Sequence, residues 1–452
     1  MANIYNFLMN VFQDIKNSNN QNNLFLLVLL LLISIPLPYF FNNILLGLFL
    51  IFSIKNYTKT SYKYSIALVF PILLFGIMSI SYFWSIDKNA TLAAIPKEIV
   101  LLLVPLAFLF NQKFTEIQMD KIKKYYSYSM VVLALFFLVR AFIKYLISQD
   151  TKVFFYHGEN DLDYGLVPKL LNAIHVSVFV AVGLFYFISK AVKTTFDYLV
   201  SALLFVFILL LSSKNIILVV IILFLIHFFY FSKSSHKLRL RNLIVFGILI
   251  ALIFSFGRIK NRFLSEFQAN TDKSLSSNVI EGIPEGVHFI SIKEAWTNET
   301  FTPNDYFPGT AFRVYQFRIF TELLSENNIF FTGFGLNASY PKIDEKANKY
   351  HLFKGNEEDS GYQNKNFHNQ YIQNFAELGL FGFLALILML CVNLKNAFKT
   401  KDFVHFAFAI LMISLFLTES FLWRQRGVVF FTIFYCLFNA NVSQRETKNL
   451  SI

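Results

Sequence analysis

From His368 to Gly382 the chain reads His-Asn-Gln-Tyr-Ile-Gln-Asn-Phe-Ala-Glu-Leu-Gly-Leu-Phe-Gly. This stretch closes a long polar segment and opens an apolar one. Imidazole is the side chain best suited to proton transfer near neutral pH, and that of His368 can take a proton from a hydroxyl. If the stretch is helical, a spacing of four puts Asn369, Gln373 and Glu377 on one face. The helical rise then sets Glu377 about 13 Å below His368. A carboxylate that deep in a bilayer is costly and points to function. Gly379 and Gly382 allow close helix approach. The plain alternative is a polar helix start followed by an ordinary span.

The rest of the chain must hold this stretch in a membrane. It has 452 residues, 56% hydrophobic and 15% charged, with 57 Phe. A soluble domain could not hide so much apolar surface. Many apolar runs approach the ~20 residues that cross a bilayer core. No period-two alternation suggests an outer-membrane barrel. The expected fold is an all-α membrane protein of about twelve transmembrane helices, with one large periplasmic loop carrying short helices. The spans are read at 24–37, 39–54, 64–84, 91–110, 125–147, 171–189, 196–211, 215–231, 243–257, 371–393, 402–418 and 427–441. The organisation is thus 1–257 (nine spans), 258–370 (the loop) and 371–452 (three spans and a tail). The first span is read as uncleaved, because no small-residue cleavage site follows it.

Charge sets the orientation. With both termini in the cytoplasm, every inside segment is basic, as in Lys121-Ile-Lys123-Lys124 and Arg239-Leu-Arg241. The net charge of +12 therefore faces anionic lipid, and no nucleic-acid partner is needed. Cys391 and Cys436 lie in apolar runs and read as buried thiols. Trp84, Trp423, Arg424 and Arg426 read as interfacial residues. Within the large loop, 313–325 reads as an amphipathic helix, Gly333-Phe-Gly335 as a turn and 342–366 as a surface loop.

The pattern His368-Asn369, Gln373, Glu377, Gly379 and Gly382 resembles the signature of the O-antigen ligase and polymerase superfamily. Further likenesses are Ser213-Lys214-Asn215, where Lys stands in the place of a usual Arg, and Arg313 ahead of Phe317 and Gly333-Phe-Gly335. The turn Tyr82-Phe83-Trp84-Ser85-Ile86-Asp87 and the span start Asn172-x-x-His175 are also similar to family members. The resemblance implies a bacterial inner-membrane enzyme without cofactor or metal. Its active face is periplasmic and its donor is an undecaprenyl-diphosphate-linked glycan. The acceptor is the lipid A-core or another hydroxyl.

The residues suit that chemistry. An outward site has no ATP, and the chain has no phosphate-binding Gly-rich loop. The donor must arrive activated. A polyprenyl diphosphate needs an apolar groove, cations and a base. His368 is the candidate base. Arg313, Lys214, Arg140 and Arg318 are candidate diphosphate cations. Glu377, Gln373 and His175 are candidate substrate-binding or supporting residues. Asp161-Leu-Asp163 reads as an acidic surface loop, with a metal pair as its alternative. A polymerase or a protein O-oligosaccharyltransferase would share these residues. A lipid-glycan transporter is the reading from another class, with Arg140, Glu377 and His175 lining a path.

Overall fold

The computed structural model describes residues 2–57, 65–156, 165–232, 287–355 and 361–440, with isolated positions 244 and 247. The expected span 243–257, the first part of the large loop and Asp161-Leu-Asp163 lie outside the described residues. Among the described residues, five helices are long and apolar enough to cross a membrane. They are Ile66–Phe83, Lys88–Phe110, Glu116–Ser148, Lys214–Phe231 and Gln370–Thr400. Four shorter apolar helices join them: Tyr39–Lys55, Ala173–Ser189, Thr195–Leu210 and Phe403–Phe416. Phe25–Ile33 and Gln425–Asn439 complete the packed bundle. All of these overlap expected spans, but the shorter ones fall below the length that spans a bilayer core untilted.

Local chemistry sets the helix starts. Thr115 with Gln118, and Thr194 with Asp197, form capping boxes. Asp87, Asn172, Asn369 and Asp402 each accept from backbone N–H groups of the first turn they open. The Lys88–Phe110 span is broken at Ile99, between Pro96 and Pro105.

The connecting segments gather at two ends of the bundle. At one end, Arg426 donates to Ile35 O at 3.2 Å, Leu37 O at 3.2 Å and Leu170 O at 2.9 Å. There, too, Tyr156 N donates to Leu210 O at 3.0 Å, and Asn215 Nδ2 donates to Ser414 O at 2.9 Å. At the other end, Lys121 pairs with Asp14 at 2.6 Å and Lys123 with Asp402 at 2.9 Å. Ser65 Oγ donates to Asn439 O at 2.8 Å in the same layer. Arg426 is therefore a buried clamp that ties its own turn to two others, and the expectation of a plain interfacial role for it is corrected.

The large loop carries its own apolar core, which includes Phe301, Phe307, Tyr315, Ile319, Leu323 and Phe367. Its main helix, Gly309–Glu326, buries Phe312, Tyr315, Ile319, Phe320 and Leu323 at helical spacing. The reading of 342–366 as loop is corrected at its start, since Tyr340–Lys349 is a helix. Its polar composition hid a narrow inward stripe of Ile343, Lys346 and Ala347.

The cap is joined to the bundle at a break in the Gln370–Thr400 helix. Gly379 sits at φ 65°, ψ −162°, a conformation open essentially to glycine alone. What approaches it is a turn, not a helix. Phe334 N donates to Ala376 O, Gly335 N to Glu377 O and Leu380 N to Phe330 O, each at 2.8 Å. Gly333 faces the backbone of Glu377 in return, at φ 69°. On its far side the turn meets the 81–91 segment. Ile86 N donates to Phe334 O, and Trp84 Nε1 donates to Thr332 O at 2.8 Å. Trp84 thus has a partner in the loop beyond the interfacial role expected of it. A Cβ at residue 379 would lie 2.2 Å from the Phe331 carbonyl carbon. Gly379→Ala is expected to cost roughly 3 kcal/mol or more. A fall in the thermal midpoint of the detergent-purified protein would show it, and an unchanged midpoint would contradict this account of the joint.

Candidate functional site

His368 is not part of the helix. Its φ of 47° places it in the left-handed region, and Asn369 caps the helix that begins at Gln370. This differs from the helical geometry read across the stretch, in which Asn369 shares a face with Gln373. Asn369 Oδ1 instead accepts from Tyr371 N at 3.0 Å and Ile372 N at 3.1 Å. The positive φ turns the imidazole out of the helix line, and its side chain stays 32% exposed. Asn366 supports it from behind, accepting from His368 N at 2.9 Å.

The imidazole faces Glu419, in the turn between the last two apolar helices. His368 Nδ1 lies 3.6 Å from Glu419 Oε2, and Arg313 Nη2 lies 3.4 Å from Glu419 Oε1. One carboxylate therefore bridges the candidate base and the candidate diphosphate cation. These are ion-pair separations; the closer contacts of Arg313 hold the turn itself. Its Nε and Nη2 donate to Thr418 O at 3.1 and 2.9 Å, and Nη1 donates to Gly309 O at 3.0 Å. A guanidinium has five N–H donors. These contacts leave one Nη1 hydrogen directed elsewhere. Burial opposes charge on Glu419, but His368 and Arg313 beside it hold the carboxyl below its ordinary value.

A carboxyl whose folded value lies below its unfolded one stabilises the fold above the unfolded value. That contribution is lost as pH falls through the folded value. The thermal midpoint should therefore fall on acidification below the ordinary Glu value of about 4.5. Glu419→Gln should flatten this acid limb, and an identical profile in the variant would contradict the pairing.

The remaining candidates fall into two groups. Lys214 opens the Lys214–Ile226 helix beside Asn215. Asn215 donates to Thr418 Oγ1 at 2.8 Å, which brings the Lys214 segment to the turn that Arg313 grips. His175 is buried, with its ring 4.5 Å from that of Phe421, and so backs the turn from the bundle side. Gln373 and Glu377 are buried beneath His368. Gln373 Oε1 accepts from Phe367 N at 3.2 Å, and its Nε2 donates to Glu377. Ser339 Oγ donates to Glu377 Oε1 at 3.0 Å. Glu377 thus ties the first turn of its own helix to the loop that follows Gly335.

Arg140 and Arg318 are placed elsewhere. Arg140 Nη1 donates to Leu166 O at 3.2 Å, beside the 165–171 loop. Arg318 pairs with Glu322 at 3.0 Å, donates to Asn298 O at 2.7 Å and lies over the Tyr350 ring at 4.4 Å. Lys346 completes that network at 2.7 Å from Glu322. These contacts hold the cap together.

Glu419 escaped the sequence reading. Its signal was present: a lone carboxylate between two apolar spans carries the same cost that drew attention to Glu377. Thr418, Asn215 and Asn366 act through backbone or amide contacts that no spacing rule exposes.

The helices and their two-ended packing define a multi-pass membrane protein. Residues 199–387 match the family model described as O-antigen ligase. The match supports the superfamily that the His368 motif resembles. The family is ligase-like and glycosyl-transferring, which supports an enzyme. No curated protein matches the chain. Lys214, Arg313, His368 and Glu377 lie within the matched stretch; Arg140, His175 and Glu419 lie outside it.

Proposed function

We propose that the chain is an inverting glycosyl transferase that moves a glycan from a polyprenyl diphosphate to an acceptor hydroxyl. The observation that carries this reading is the shared carboxylate, with His368 on one oxygen of Glu419 and Arg313 on the other. Glu419 orients Nδ1, which leaves Nε2 to take the acceptor proton. The acceptor oxygen attacks the anomeric carbon. The bond from that carbon to the diphosphate oxygen breaks, and its electron pair leaves with the carrier. Arg313 and Lys214 stabilise the charge that develops there. The proton on His368 then passes to solvent. Gln373 and Glu377 position the base, and His175 backs the turn.

The site end faces the periplasm in this reading, with both termini in the cytoplasm of a bacterium's inner membrane. The supporting observation is that the basic segments Lys121 and Lys123 gather at the opposite end. The donor is undecaprenyl-diphosphate-linked and the acceptor is lipid A-core. Polymerase and protein O-oligosaccharyltransferase readings use the same residues with another acceptor.

Purified protein in detergent, given a polyprenyl-diphosphate glycan and lipid A-core, should form the glycosylated product with or without EDTA. Absence of product with every acceptor would overturn the reading in favour of a transporter. Product lost to EDTA would refute the metal-independent mechanism. In cells lacking the protein, loss of all lipopolysaccharide bands above core supports the ligase. A single repeat unit left on core would assign a polymerase instead.

A further inference from the structure

Beside the His368 site lies an open cleft of about 450 Å³, lined by Asp87, Lys97, Asn337, Tyr340, Asp344 and Trp423, with Ala90 and Pro341. Its volume falls in the range of small-ligand sites. The lining has a particular chemistry. The rings of Tyr340 and Trp423 lie 5.6 Å apart and tilted by 46°, forming an aromatic wall. Lys97 Nζ stands 4.7 Å over the Trp423 ring. Asp87 Oδ1 accepts from Ala90 N at 2.9 Å and Asp344 Oδ1 accepts from Asn364 N at 2.9 Å. Each carboxylate keeps a second oxygen to accept a ligand hydroxyl. Asn337 adds an amide whose Oδ1 has no hydrogen-bond partner among the described residues.

An aromatic wall facing carboxylates and an amide suits a ring with one C–H face and a rim of hydroxyls. That is a pyranose. A purely apolar ligand would desolvate the second oxygen of each carboxylate without a hydrogen-bond donor. A bare phosphate would meet Asp87 and Asp344 as like charges. The cleft also adjoins the transfer site from two directions. Tyr340 interacts with the side chain of Asn366, which holds the His368 backbone. Trp423 follows Glu419 by one turn of chain.

We propose that this cleft is a saccharide subsite that holds a pyranose unit of the donor or acceptor glycan while His368 acts on the neighbouring unit. The proposal rests on the transfer reading above. It adds the residues that recognise sugar and locates them outside the diphosphate-binding group.

The test uses purified full-length protein and two probes. One is the oligosaccharide freed by mild acid from the host's polyprenyl-diphosphate donor; the other is the host's core oligosaccharide freed from lipid A. Calorimetric titration should show saturable binding of one of them, which identifies the source. Trp423→Ala should weaken that binding about tenfold and Asp344→Asn several-fold. Both should raise KM for the matching substrate more than they lower kcat. Asp344→Asn preserves the contact to Asn364 N and decides the matter if Trp423→Ala fails to fold. Binding of neither probe to the wild type, or unchanged binding in the folded variants, would overturn the subsite. Wild-type protein that binds a probe and transfers nothing would instead overturn the transfer reading and leave the subsite standing.

Discussion

His368→Ala should lower the turnover of glycan transfer by about 10³-fold while the protein level in the membrane holds. The size follows from the role. In the proposed mechanism the variant removes the group that takes the acceptor proton and leaves the diphosphate cations in place. The unchanged level follows from the packing. The His368 side chain is 32% exposed, and its backbone, not its ring, is fixed by Asn366. Its φ of 47° costs alanine about what it costs histidine, so the substitution adds no new backbone strain. A purely structural histidine would give the opposite pattern, with reduced level and retained turnover per molecule. Transfer by His368→Ala at the wild-type rate would remove His368 from the mechanism.

Arg313→Ala should cost about 10²–10³-fold in turnover and also lower the thermal midpoint. The guanidinium has two duties. It holds Thr418 O with two N–H donors and sits 3.4 Å from Glu419, so its loss leaves a partly buried carboxylate with one cationic neighbour fewer. In the proposed mechanism it also stabilises the charge of the diphosphate leaving group. Arg313→Lys separates these duties, since lysine restores charge without the fork. That variant should recover less than a tenth of the lost turnover if the fork matters. Activity measured well below the thermal midpoint of each variant keeps the two effects apart. Full turnover in folded Arg313→Ala would confine Arg313 to holding the turn.

The helices were legible because apolar runs and basic loops are long-range signals that survive any local detail. The Gly309–Glu326 helix was equally plain from its apolar spacing, expected at 313–325. The break at Gly379 was not. Paired glycines at that spacing usually mean close helix approach, and only the hydrogen bonds to Phe330, Phe334 and Gly335 reveal a docked turn. The site was half visible. Imidazole and guanidinium are rare enough at a membrane edge to draw notice. Arg318 and Arg140 drew the same notice, because type and position do not show that Glu322 and Leu166 O hold them. Glu419 was missed for the converse reason. It is 51 positions from His368 in sequence, and only folding makes it the bridge.

The pairing of His368 with Glu419 can be measured as a coupling in transfer turnover. The four proteins are wild type, Glu419→Gln, His368→Ala and the double variant. Glu419→Gln should reduce turnover roughly tenfold or more in the wild-type background and have a clearly smaller effect, the part carried through Arg313, once His368 is gone. Equal losses in both backgrounds would show that the carboxylate and the imidazole act independently, and the account of one site built on a shared carboxylate would be wrong.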